Sequence, residues 1–262
     1  NLSVVGWYAQ QGIPVEVNES HQWSLRNAHD ALAVAMAFLA AYNAKKKGVR
    51  RYVAQFMFNT PRETSPAMDV AKMAAKREMI EGLEDSGFAV IRQVRAGLAS
   101  MPADFDKAKG HLASSATVSQ ALDPHILHVV GYSESDHAIT AGELIESCRI
   151  ARGALDNALR GMPDLEADPA VRRRKGELIF EAGVLLQALR KLGEKTSDDP
   201  WADPRVIADA IDKGLLDAPQ FQGLGVARGA VVTQMIDGAC RAVDPSSGRP
   251  LTESERLARL GI

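Results

Sequence analysis

Four short apolar runs recur along the chain at a spacing of about 37 residues, centred near Val17, Ala54, Ile91 and His128. Each is followed by a loop and then by a long segment of helical character. Strands that alternate with helices at this interval form right-handed βαβ units, and such units build a parallel sheet. The expected strands are residues 14–18, 51–58, 88–94 and 125–130. The expected helices are 25–47, 66–84, 104–122 and 140–159. Local signals mark several boundaries. Ser24 is the expected N-cap of the first helix, and Gly48 ends it. Ser65 and Pro66 form a cap and first-turn pair. Thr140 and Glu143 have the spacing of a capping box.

Four βα units are half of a (β/α)₈ barrel, which needs roughly 250 residues for all eight. The expected fold class is therefore α/β, with parallel βα units forming about half of a TIM barrel and a helical C-terminal appendage. An open doubly wound sheet is the competing arrangement. Beyond the fourth unit the pattern changes. Residues 168–192 form a long charged helix, and 194–200 are polar and end in proline, as a linker does. Residues 201–262 hold two short helices, 204–213 and 252–260, around a glycine-rich region. The domain expectation is a half-barrel with its trailing helix over 1–193, then a linker and small appendage over 194–262. The chain starts at Asn1 without a methionine and is expected to be a piece of a longer one.

Composition narrows the class of function. The 31 basic and 33 acidic residues leave a formal net charge of −2, so a nucleic-acid-coating protein is not expected. Cys148 and Cys240 are the two cysteines. They support neither a disulfide framework nor a four-cysteine zinc site, and a cytoplasmic location is expected. The longest apolar stretch, residues 31–42, is too short to span a bilayer. Gly-x-Gly-x-x-Gly, the P-loop and Gly-x-Ser-x-Gly are all absent. The basic run 172–175 is expected to be a solvated helix face.

Parallel α/β folds bind ligands at the C-terminal ends of their strands. That rule selects Asn18, Glu19 and His21 after the first strand, and Phe58, Asn59 and Thr60 after the second. Arg95, Gly97, Met101 and Pro102 follow the third. Gly131, Tyr132, Ser133, Glu134, Asp136 and His137 follow the fourth. Glu19, His21, Asp136 and His137 have no tight metal-ligand spacing, so no protein-bound metal is expected. His125 and His128 are three apart in one strand and face opposite sides.

The stretch from Gln11-Gly-Ile-Pro-Val-Glu-Val-Asn18 to Lys47-Gly-Val-Arg-Arg-Tyr-Val-Ala-Gln55 resembles the large (epsilon) subunit of adenosylcobalamin-dependent glutamate mutase, or methylaspartate mutase. The resemblance continues through Arg92-Gln93, Met101-Pro102 and the small-residue segment 110–122. It runs on past Gly131 and Glu134 to Asp212-Lys-Gly-Leu-Leu-Asp217-Ala-Pro219. It implies the C-terminal half of a TIM-barrel subunit. It also implies an isomerase that performs a radical carbon-skeleton rearrangement, with a separate small cobalamin-binding subunit gripping the cofactor from the other side. The missing barrel half, or a second copy, would complete the barrel. On this basis Asn59, Met101, Tyr132 and Glu134 are the expected contacts of adenosylcobalamin, with Glu134 on the adenosyl ribose. Asn18, Glu19 and Arg95 are the expected contacts of a small anionic substrate, with Arg95 gripping its charge. The family's ribose-binding lysine has no counterpart, because Val130 and Gly131 occupy that place. A non-catalytic, barrel-derived partner of a cobalamin-binding subunit is the alternative. A Schiff-base aldolase ranks last, because no expected strand carries a lysine.

Overall fold

The structure is a computed structural model that describes residues 2–18, 27–225 and 227–262. Glu19, His21 and the expected cap Ser24 lie outside the described residues.

A first helix, α1 (Leu2–Gln10), precedes β1 (Val15–Glu16). Three further units follow: α2 (Asp30–Lys46) and β2 (Arg51–Phe58), α3 (Pro66–Glu81) and β3 (Ala89–Ala96), α4 (Phe105–Val118) and β4 (Ile126–His128). Then come α5 (Ala141–Leu159) and α6 (Pro169–Gly193). The chain closes with α7 (Pro204–Asp212), the strands β5 (Thr233–Ile236) and β6 (Ala239–Ala242), and α8 (Glu253–Arg259).

β1 to β4 form one sheet in sequence order, and every neighbouring pair is parallel. A sheet that never reverses its order, crossed each time with the same hand, carries its helices on one face. The strand pleat agrees. Tyr52, Ala54, Phe56 and Phe58 alternate along β2 into a core shared with Ala37, Ala41 and Ala44 of α2 and Val70, Met73 and Ala74 of α3. Gln55 and Met57 point to the other side, as do Gln93 and Arg95 of β3.

Two elements depart from expectation for local reasons. α2 starts at Asp30 rather than 25, because Asn27 has φ +91° and cannot continue a helix. The Asn27 carbonyl instead accepts a hydrogen bond from Thr233 Oγ1 at 2.7 Å. β1 and β4 are shorter than their apolar runs because each edge strand pairs on one side only among the described residues. The caps at Ser65 and Thr140 form: Ser65 Oγ accepts from Met68 N–H, and Thr140 and Glu143 complete the reciprocal box.

α2 is buried on both sides. Its second face, with Leu32, Ala35 and Leu39, meets Leu178, Leu185 and Leu189 of α6. Val206, Leu215, Leu216 and Leu257 of the C-terminal region join that same core. The β5–β6 hairpin turns at Asp237-Gly238, both with positive φ, as a two-residue Asp-Gly turn requires. Gly238 is also pressed on Ser65, where a Cβ would come within 2.5 Å of the serine side chain. Its carbonyl accepts Ser65 N–H at 2.9 Å, which docks the hairpin on the start of α3.

Among the described residues no helix is long and apolar enough to cross a membrane.

Candidate functional site

The sheet face turned away from the helices is polar. Glu16 of β1 anchors it: Oε1 accepts from Gln55 Nε2 at 2.6 Å and Oε2 from Gln93 Nε2 at 2.9 Å. Both carboxylate oxygens are therefore fixed, and three strands are tied together across the face.

Next along the face is Arg95, which lies in register with Met57 on one side and His128 on the other. Arg95 is only 9% exposed. Its Nε donates weakly to its neighbour's carbonyl, Ala96 O, at 3.3 Å. No carboxylate among the described residues comes within 4.0 Å, although Glu134 and Glu16 are near enough to attract it. Burial lowers its pKa against that attraction. A largely desolvated guanidinium with no ion-pair partner is a ready site for an oxyanion, since its planar fork matches carboxylate or phosphate. His128 is exposed. Partial desolvation and the Arg95 charge hold its pKa below the usual histidine range, against Glu16 and Glu134.

The other expected site residues are placed differently. Glu134 Oε1 accepts Gly131 N–H at 2.6 Å and so closes its own loop. Tyr132 and Met101 belong to a small buried cluster with Ala96, Ala108 and Val130. The Tyr132 hydroxyl donates to Glu146 Oε2 at 2.8 Å, and Lys109 lies over its ring at 4.7 Å. Asn59 has φ +57°; its N–H donates to Asp69 and its amide to Ser115. It borders a cavity of about 500 Å³ with Arg62, Ser100, Lys107 and His111. Asn18 lines a separate cavity of about 620 Å³, among Val5, Met36 and Leu39. Glu19 is outside the described residues. Thus Arg95 and Glu134 share one neighbourhood, while Asn18, Asn59, Met101 and Tyr132 sit in other settings.

Behind the loop after β2 lies a buried charge network. Lys72 Nζ donates to Thr60 O at 2.6 Å and stands 3.4 Å from Asp30 and 3.5 Å from Asp69. Arg174 Nη2 donates to Asp30 at 3.1 Å. Arg174 is buried, which corrects the expectation of a solvated face for that residue. Lys175 pairs with Glu78 at 2.6 Å.

Asp136 and His137 meet each other at 2.9 Å, and His137 Nε2 lies 3.0 Å from Glu143. Those two hydrogen bonds, first to Asp136 and then to Glu143, raise the pKa of His137. Among the described residues no group of three or more His, Cys, Asp or Glu side chains is arranged to hold a metal ion.

Glu16, Gln55, Gln93 and His128 were not singled out with Arg95 as one face. A signal was present: Gln55 interrupts the apolar run of β2, and Gln93 and Arg95 are two apart in β3, so all of them share one side of the pleat.

No protein-family model matches the chain, and no curated protein matches it.

Proposed function

We propose that this chain supplies half of the barrel of a glutamate-mutase-type, cobalamin-dependent carbon-skeleton isomerase, and that its polar sheet face binds a small anionic substrate. One observation carries the proposal: Arg95, nine-tenths buried on the helix-free face, has no ion-pair partner among the described residues. The singly wound order of β1 to β4 supports the barrel half, since a doubly wound sheet reverses its order at a switch point. The upstream half, or a second copy, would pair with the free edges of β1 and β4. Arg95 would take a substrate carboxylate. Glu16, held by Gln55 and Gln93, would form the floor of the chamber and repel a second carboxylate from it. In this proposal the corrin arrives on the small cobalamin-binding subunit, docked at the C-terminal ends of the strands.

The adenosyl group does not fit the four positions expected to contact it. Met101 and Tyr132 are buried, the Asn59 amide is taken by Ser115, and one Glu134 oxygen is taken by Gly131. Val130, where a ribose-binding lysine would be needed, is buried as well. The same facts favour a second reading, in which the chain is a non-catalytic barrel-derived partner of a cobalamin-binding subunit.

The experiment combines the full-length protein, a cobalamin-binding subunit, adenosylcobalamin and glutamate. An organic radical in the electron paramagnetic resonance spectrum, lost in Arg95→Met, supports the isomerase. Complex formation without a radical selects the partner reading. Neither complex nor radical overturns both.

A further inference from the structure

β3 and β4 are parallel, and Arg95 and His128 are register partners across them. Side chains of register partners leave the same face of the sheet, on strands about 4.8 Å apart. One small oxyanion is therefore within reach of both.

His128 is uncommitted. Its imidazole makes no hydrogen bond and no ion pair among the described residues. A neutral imidazole has one N–H to donate and one nitrogen that can take a proton. The residue is exposed, so solvent can deliver that proton.

Three charged groups act on the ring from the elements around it. Arg95 of β3 opposes its protonation, while Glu16 of β1 and Glu134 of the loop after β4 favour it. Both carboxylates are held by other partners: Glu16 by Gln55 and Gln93, and Glu134 by Gly131 N–H. Neither forms an ion pair with Arg95 or His128 among the described residues.

An anion seated on Arg95 reverses the sign of the nearest influence on the ring. It offsets the guanidinium charge and places a negative charge beside the imidazole. Glu16 and Glu134 act in the free and the occupied site alike, so they do not produce the difference. The occupied site favours the charged ring, and a charged imidazole donates a stronger hydrogen bond to an oxyanion.

We infer that His128 is a second ligand of the anion held by Arg95, and that a proton from solvent is taken up on His128 as the anion binds. With Arg95 as the anion site, on which this role of His128 rests, affinity becomes proton-linked. The gain begins as the pH falls through the ring's pKa in the occupied site. It is complete below the lower pKa of the free site.

Glutarate, a five-carbon dicarboxylate, is the probe. It is titrated into the full-length protein by calorimetry at pH 7, in two buffers with different heats of ionisation. The expected result is a fraction of a proton taken up per anion bound. Affinity should rise at least about threefold from pH 8.5 to pH 6.5, since each pKa unit gained on binding is tenfold in affinity. His128→Gln keeps a hydrogen-bonding side chain that does not titrate, and the exposed position lets the variant keep the fold. It should bind glutarate with no proton uptake and a flat pH profile. Binding without proton uptake in the parent, or uptake that persists in His128→Gln, would overturn the role of His128 and leave Arg95 as the anion site. No binding in the parent at any of these pH values would overturn the Arg95 reading and the His128 role together.

Discussion

Arg95 and His128 are register partners across β3 and β4, so a guanidinium and an imidazole stand side by side on the polar face. Partial desolvation and the neighbouring charge both favour neutral His128. Replacing Arg95 by Met removes the charge and leaves the desolvation. The His128 pKa should therefore rise, with Glu16 and Glu134 still favouring the charged ring. A ¹H–¹³C titration of the ring measures this, and an unchanged or lower pKa would contradict the contact.

Lys72 is the buried cation that serves Thr60, Asp30 and Asp69 together. Lys72→Met leaves Asp69 buried without its counter-charge, and Asp30 with Arg174 alone. Breaking a buried pair in this way costs about 3–5 kcal/mol. Urea unfolding should show a loss of that order, with the loop at Thr60 the first region to gain hydrogen exchange. A loss below about 1 kcal/mol would mean that Lys72 contributes little to the network.

Two buried acids shift in opposite directions and so give opposite pH signatures. Burial alone would raise Glu253, but His29 and Arg256 bring it down to about 2. Its stabilisation is complete above its ordinary pKa of 4.5 and is lost as the pH falls toward 2. The shift corresponds to roughly 3 kcal/mol. Asp69 behaves in the reverse way. Burial outweighs Lys72 and the Asn59 N–H, and raises it from 3.8 to about 6. The folded state then holds a proton that the unfolded chain has released, so Asp69 makes stability fall as pH rises between those values. Denaturant midpoints from pH 2 to 7 should lose the acid limb in Glu253→Gln. They should lose the decline between pH 4 and 6 in Asp69→Asn.

Tyr132 separates a structural role from a ligand-contact role. Its ring packs edge-on against Phe105 at 5.6 Å, and its hydroxyl reaches Glu146. Tyr132→Phe removes the hydrogen bond to the solvent-exposed Glu146 and retains the packing. Anion affinity at Arg95 should stay within twofold of the parent. A tenfold loss of affinity in a fully folded variant would place Tyr132 at the ligand.

What could be read from the sequence followed the strength of the local signal. β2 matches its apolar run at both ends, because Arg51–Phe58 is paired along its length by β3. The caps at Ser65 and Thr140 were visible because capping is a contact between residues three apart. The β5–β6 hairpin was missed although Asp237-Gly238 is a strong turn signal; its flanks, Thr233–Ile236 and Ala239–Ala242, are too short to display an alternating pattern. The burial of Arg174 could not be seen at all. Its partner Asp30 is 144 residues away, and only the packing of α6 against α2 brings them together. Of the expected site, Arg95 was legible as a strand-end cation. Met101 and Tyr132 look the same in sequence whether they line a mouth or fill a core.

In the proposed function, Arg95 grips a small carboxylate on the polar sheet face. The most direct measurement follows the Arg95 Nε resonance while a four- or five-carbon dicarboxylate is titrated into the full-length protein. A saturable downfield shift is expected, with at least a tenfold loss of affinity in Arg95→Met with the fold intact. A resonance that does not move, or affinity that survives in Arg95→Met, would contradict it.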